Sequence, residues 1–202
     1  MIVRLFLSLF LFSSLSFSQE SFFYTDTLQG PEDPFQLYRE WKLEEEGQSE
    51  TAFLSTVANE EGRSTPSSRA IMMELNDPQN AFFFHTNKES IKNLHLSENP
   101  QAHLCFYWVE DPTRQIRVTG QTAALSSSPY EKRTFKLNGN VMDLEMLTYR
   151  FTPASFLFET YEEIDEGSIV VSESLEYCLN AQGKWEQQKL PHYVYLGTNT
   201  EN

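Results

Sequence analysis

Three short stretches of this sequence carry side chains suited to holding an anion. Arg69 opens the run Arg-Ala-Ile-Met-Met-Glu, where strand alternation sets Arg69, Ile71 and Met73 on one face and Ala70, Met72 and Glu74 on the other. His85-Thr86-Asn87-Lys88-Glu89-Ser90-Ile91-Lys92 falls where a strand gives way to a helix. A helix start offers unpaired N–H groups and the positive end of the macrodipole. Thr86 and Ser90 add hydroxyls and Lys92 adds a charge, which is the chemistry of a phosphate cradle. Arg114-Gln115-Ile116-Arg117 lies on a further strand, and the Gln115 amide can meet donors and acceptors on the edge of a heterocycle. A strand arginine alone is usually a surface residue, and a capping box alone usually does no more than cap. The candidate rests on the three together.

Other chemistries find less support. The chain has 15 Lys+Arg against 29 Asp+Glu, a net charge of −14, which excludes the broad basic field that non-specific nucleic-acid binding needs. An anionic ligand must therefore sit in a local basic pocket. His85, His95, His103 and His192 show no metal-ligand spacing, and Cys105 and Cys178 are too few for a metal cluster or a dense disulfide scaffold. No Gly-rich nucleotide loop and no Gly-x-Ser-x-Gly elbow occurs.

The elements that must position these residues can be read from punctuation and periodicity. Hydrophobic residues at 40% and aromatics at 14% argue for a folded chain, and 202 residues suit one domain with a real core. Asp33-Pro34-Phe35-Gln36 predicts a helix start, with Asp33 as N-cap, Pro34 at the first position and Gln36 reaching back. Phe35, Tyr38 and Trp41 then share a face, and the helix fades in the acidic run Glu44-Glu45-Glu46. Strands are expected at Ala52–Ala58, Ser67–Leu75, Ala81–His85, Ala102–Val109 and Arg114–Ala124, each bounded by turn residues. Thr86 to Glu89 fits a capping box opening a helix that ends near Asn99-Pro100, and Ser126 to Pro129 suggests another helix reaching Leu137. Ser155–Tyr161, Ser168–Leu179 and Trp185–Leu190 complete the strands, with Asn180 to Gly183 as a turn. The aromatic runs Phe82-Phe83-Phe84 and Phe106-Tyr107-Trp108 read as barrel core and dimer contact. Six or so antiparallel strands with intervening helices make an α+β chain, mainly β, built as a small closed barrel.

The first eighteen residues read as a secretory signal peptide: Arg4, an apolar run from Leu5 to Phe17, then Ser16-Phe17-Ser18 before a cut. A buried helix or an upstream start are the alternatives. Export leaves Cys105 and Cys178 free to pair, whereas an uncleaved chain is cytoplasmic. The organisation is thus a leader (1–18), an irregular lead-in (19–32), one domain (33–192) and a tail (193–202).

Taken in order, the pieces resemble the pyridoxamine 5′-phosphate oxidase family, FMN-dependent flavoproteins with a split β-barrel fold. The resemblance runs from Asp33-Pro34-Phe35 through Ala52 to Val57, Ser68 to Met73, Phe82 to Asn87, and Glu89-Ser90-Ile91-Lys92. It continues through Glu98 to Ala102, Phe106-Tyr107-Trp108 and Arg114 to Gly120, with weaker echoes at Tyr149 to Pro153, Leu175-Glu176-Tyr177 and Trp185. It implies that Arg69 and Lys92 hold the FMN phosphate, with Thr86 and the helix start at Ser90 serving the phosphate and ribityl chain. Main chain at Met72 would face the isoalloxazine, Gln115 would hydrogen-bond the cofactor, and His85 stands where the family has a tyrosine. The family's homodimers hold FMN at the subunit interface, so a homodimer is expected.

Departures fall on both the cofactor and the substrate side. Ile91 stands where the family repeats a basic residue beside the phosphate lysine, and the segment of the family's Gln-Ser contact to FMN is much shorter here, between Leu137 and Tyr149. The rest fall mainly on the substrate side. Glu74 replaces a lysine that meets the substrate. The tyrosine, arginine and serine expected after Phe135 have no equivalents in Asn138-Gly139-Asn140. Val170, Ser172 and Ser174 stand at the Arg-x-His motif and its following arginine, and Glu159 stands near the tryptophan over the flavin. The resemblance implies an FMN-dependent oxidoreductase passing electrons to dioxygen. The alternative is a split barrel that binds FMN or another planar ligand without vitamin-B6 turnover.

Overall fold

The structure is a computed structural model, and it describes residues 22–23, 30–44, 51–60, 62–109, 113–125, 131–165, 168–188, 190 and 192–193. The leader lies outside the described residues. Along the chain come β1 (Phe22–Phe23), α1 (Pro34–Glu44), β2 (Thr51–Glu60), β3 (Arg63–Met72) and β4 (Glu74–Asn76). A 3-10 turn (Asp77–Gln79) leads to β5 (Ala81–Asn87), α2 (Ile91–Glu98), β6 (Gln101–Trp108), β7 (Thr113–Ala124) and β8 (Glu131–Leu137). β9 (Asn140–Asp165), β10 (Ser168–Leu179), β11 (Trp185–Gln188) and β12 (His192–Tyr193) follow. Among the described residues no helix is long and apolar enough to cross a membrane.

The fold is an antiparallel split barrel with ten strands in its main sheet, more than the sequence suggested. β9 is its spine. One edge of β9 pairs with β7 through residues 149–161 and then with β8 through 140–146; the other pairs with β5 through 146–151 and with β10 through 155–165. A bulge beside Thr119/Gly120 lets the β7–β9 ladder continue. Gly120 is required there, because a Cβ would collide with the Thr152 carbonyl and stand 2.8 Å from the Phe151 ring. The lead-in is not wholly irregular, since β1 pairs with β12.

α1 caps the core with the aromatic face read from its spacing. Asp33 Oδ1 accepts the Phe35 N–H at 3.0 Å, which is the expected N-cap. Gln36 does not reach back. Its amide donates to Glu40 one turn on, at 2.9 Å, the ordinary i to i+4 neighbour on a helix surface. Phe35, Tyr38 and Trp41 are buried and meet Phe156, Phe82 and Phe158 at ring distances of 5.1, 5.1 and 5.2 Å, all edge-on.

Two sequence expectations give way. The single strand over Ser67–Leu75 is two strands: β3 pairs with β2 as far as Met72, Met73 turns its side chain into the core, and β4 restarts on β5. Met73, 1% exposed, anchors the break between the two strands in the core. The expected helix ending at Leu137 is β8, closed onto β9 by Asn138-Gly139 with φ of +50° and +81°. Both residues are left-handed, as a two-residue type I′ hairpin demands, and that local chemistry outweighs the serine-proline start signal. Residues 126–130 themselves lie outside the described residues.

Candidate functional site

β2, β3 and α2 converge on a basic corner. Arg69 lies on the inward-facing side of β3, where its guanidinium donates to the Leu54 carbonyl at 3.2 Å, Thr56 Oγ1 at 2.7 Å and Ser67 Oγ at 2.7 Å. Thr56, 1% exposed, also meets Nδ1 of the buried His95 at 3.0 Å. Because guanidinium only donates, the Thr56 oxygen accepts from Arg69 and its proton is free to go to the imidazole. The fork is thus held on three sides before any ligand arrives.

Lys92 sits in the first turn of α2. Burial, and then the charge of Arg69, hold its ammonium below the usual lysine range, and burial also lowers Arg69. Among the described residues no carboxylate lies within ion-pair reach of either cation. Two half-buried like charges without a counter-charge are a natural anion site. Ser90 is the N-cap: its Oγ accepts the Asn93 N–H at 3.3 Å, and Asn93 and Leu94 N–H return to its carbonyl at 2.9 and 3.2 Å. Among the described residues, the Ile91 and Lys92 N–H groups are left for a ligand. The donor set (guanidinium, ammonium, hydroxyl and helix N–H groups) fits a phosphate.

Thr86 is near but in a different role from the one its sequence suggested. It belongs to β5, which runs on to Asn87, so Ser90 and not Thr86 caps α2. Its buried hydroxyl lies 3.0 Å from Ser90 Oγ and steadies the cap. Met72 ends β3 at the sheet edge, three residues along the strand from Arg69, with its side chain 74% exposed. Lys88 points away and pairs with Glu145 at 3.2 Å.

His85 and Gln115 lie elsewhere. His85 is on the outer side of β5, with Nδ1 2.9 Å from Thr148 Oγ1. Gln115 faces outward on β7, and β2 and β6 intervene before β3, a separation of about 14 Å at ordinary strand spacing. One chain therefore does not bring Gln115 to Arg69. Its amide donates to Cys105 Sγ at 3.1 Å and its oxygen lies 2.8 Å from the Tyr161 hydroxyl. Tyr161 is also 3.1 Å from Glu159, whose other oxygen takes Arg117 at 3.0 Å. Burial and then the Glu159 carboxylate push the Tyr161 phenol up, while burial pushes the Cys105 thiol up. Cys105 and Cys178 are both free thiols.

Thr56 and His95, which hold Arg69, carried no signal in the sequence. They lie 39 residues apart, and a threonine on a strand is what β propensity alone provides.

Comparison with known proteins places these features in context. Residues 40–146, just over half of the chain, match the family model for pyridoxamine 5′-phosphate oxidase. The chain is 38% identical over 104 residues to a pyridoxine/pyridoxamine 5′-phosphate oxidase from Rhodospirillum rubrum, covering 48% of this chain and 50% of that one. It is 36% identical over 104 residues to the enzyme of the same name from Salinibacter ruber, covering 51% and 46%. The chain thus spans about half the length of the curated relatives it matches. Among solved structures, a pyridoxamine 5′-phosphate oxidase-related, FMN-binding protein from Nostoc punctiforme superposes with a TM-score of 0.57 at 15% identity, over 81% of this chain and 99% of that one. PhzG from Burkholderia lata, solved with tetrahydrophenazine-1-carboxylic acid, gives 0.57 at 20% identity, over 83% and 98%. At these identities the two structures speak for the split-barrel fold.

Proposed function

Because this chain belongs to the pyridoxamine 5′-phosphate oxidase family, we propose that it is an FMN-dependent oxidoreductase whose substrate is not a vitamin-B6 phosphate. The observation that carries the first half is the pairing of Arg69 on β3 with Lys92 at the start of α2, with no described carboxylate in ion-pair reach. When bound, FMN supplies hydride acceptance and transfer of electrons to dioxygen. The chain's own part is binding and orientation. Arg69 and Lys92 take the phosphate charge, Ser90 and the helix N–H groups complete its shell, and Thr86 holds Ser90 in place. The Met72 main chain borders the ring system.

The role proposed for Gln115 requires a second copy of the chain, since it faces outward and lies three strands from Arg69 within one. Phe53 and Tyr107 share that outward face at 50% and 46% exposure, and Phe53 and Gln115 stand in register with Cys105 and Tyr107 on β6. A homodimer burying this face would set Gln115 of one copy at the cradle of the other. Sedimentation of the flavin-loaded protein should give twice the 23.5 kDa chain mass.

The second half rests on Glu74, an exposed carboxylate where the family has a lysine, and on Ser174 and Glu159 in place of an arginine and a tryptophan. The same losses favour one further reading, a split barrel that binds FMN without oxidase turnover. Purified protein should be yellow. Adding pyridoxine 5′-phosphate and following pyridoxal 5′-phosphate should give no product, and rapid turnover would overturn the substrate claim. Consumption of dioxygen with another reductant separates the enzyme from the pure binder.

A further inference from the structure

Across the outer side of the barrel, β4, β5 and β9 form a cleft of about 570 Å³ whose lining includes Glu74, Asn76, Pro78, Phe83, His85 and Thr148. Its layout follows from register. Glu74 stands opposite Phe83, and His85 opposite Thr148, so a carboxylate, an aromatic floor and an imidazole share one surface. The imidazole is held by Thr148 at 2.9 Å. Among the described residues of the lining, Glu74 is the only Asp, Glu, Lys or Arg. Arg150, next in the row beyond Phe83, is half-buried and does not line the cleft. The break at Met73 that turns the chain from β3 to β4 also carries Glu74 from the edge near the phosphate cradle to this surface.

We infer that this cleft selects a cationic ligand with a flat ring: an aromatic or cyclic amine, stacked on Phe83 with its ammonium on Glu74 and a polar ring atom toward His85. A carboxylate beside an aromatic face attracts an ammonium by charge and by the ring quadrupole. The same carboxylate, in a chain of net charge −14, repels a phosphate ester. The inference deepens the proposed function by naming a substrate class, and it rests on that reading only for the claim that the ligand is oxidised.

The test uses two probes with one ring and opposite charges, benzylamine and benzyl phosphate, titrated by ligand-observed NMR at pH 7 into the full chain, with and without FMN. Benzylamine should bind at least about tenfold more tightly than benzyl phosphate, the size expected of one charge-assisted contact. Glu74→Gln should abolish most of that difference, and Glu74→Lys should reverse it. Glu74 is exposed, so melting temperatures of the variants check that the fold is kept. Equal or tighter binding of benzyl phosphate, no binding of benzylamine, or an unchanged preference in Glu74→Gln would overturn the inference. Flavin absorbance is scored separately, so failure to hold FMN counts against the proposed function, while the amine preference stands or falls by the titrations.

Discussion

Thr56 stands between Arg69 and His95, taking the guanidinium at 2.7 Å and meeting the imidazole nitrogen at 3.0 Å. The residue proposed to face the phosphate is thereby braced from behind by one on the far side of its guanidinium. Thr56→Val keeps the volume and removes the oxygen, leaving a buried imidazole nitrogen without its partner. The expected result is a loss of about 1–3 kcal/mol in unfolding free energy, read by urea titration. FMN affinity should fall as well, while riboflavin affinity stays level, because only the phosphate uses Arg69.

Direct removal of the cations gives the larger effect. Hydrogen bonds to charged groups contribute about 1.5–3 kcal/mol each, so Arg69→Ala or Lys92→Ala should weaken FMN roughly 10- to 100-fold. Lys88→Ala should change little, since Lys88 is exposed and spends its charge on Glu145. Fluorescence quenching of FMN measures all three, with riboflavin as the control that lacks the phosphate. Unaltered FMN affinity in both cradle variants would place the phosphate elsewhere.

Tyr177 makes stability depend on alkaline pH. Burial first, then the carboxylates of Asp33 and Glu40, push its phenol up to about 12, while its hydroxyl donates to the Pro31 carbonyl at 2.8 Å. A raised value in the folded state means that this contribution is full below the unfolded value near 10 and is lost as pH climbs toward about 12. Tyr177→Phe should lower stability at pH 8 and flatten its decline between pH 10 and 12. An equally steep decline in the variant would assign the effect to other groups, such as Tyr149, which burial also raises.

Gly120→Ala probes the bulge. The added methyl meets the Thr152 carbonyl and the Phe151 ring, and neither can step aside without breaking the β7–β9 ladder. Overpacking of this kind costs about 1–3 kcal/mol, so thermal unfolding should shift several degrees downward. Gly62→Ala has open space around it and strain only from its φ of +79°, so the loss there should be smaller.

Much of the fold was legible because its signals are local. The Asp33 cap, the Phe35-Tyr38-Trp41 face and the alternation from Ser67 to Met73 each follow from neighbours in sequence, and the structure keeps them. β8 is hidden in the sequence because the helix-start signal at Ser126 to Pro129 competes with Asn138-Gly139, which fixes a hairpin by backbone sterics. At the candidate site, the order of motifs in the sequence singles out Arg69 and Lys92. The partners that fix Arg69 could not be found so, since contacts between β2 and α2 exist only after folding. Gln115 shows the remaining gap: its strand was placed correctly, but a residue's distance from a site depends on how many strands intervene, which composition and spacing do not encode.

The 26-residue β9 has a consequence for biosynthesis. Synthesis runs from the N-terminus, so β5 and β7 leave the ribosome before residues 146–161, which are to pair with them. Until then both present unpaired edges with Phe82, Phe84, Ile116 and Val118 uncovered, the kind of surface that nascent chains lose to aggregation and that holdase chaperones shield. A chain stalled near residue 150 would have all of β1 to β8 and almost none of the β7–β9 ladder. Slow codons or stall sites inside 140–160 should therefore harm yield more than the same delay placed after residue 180.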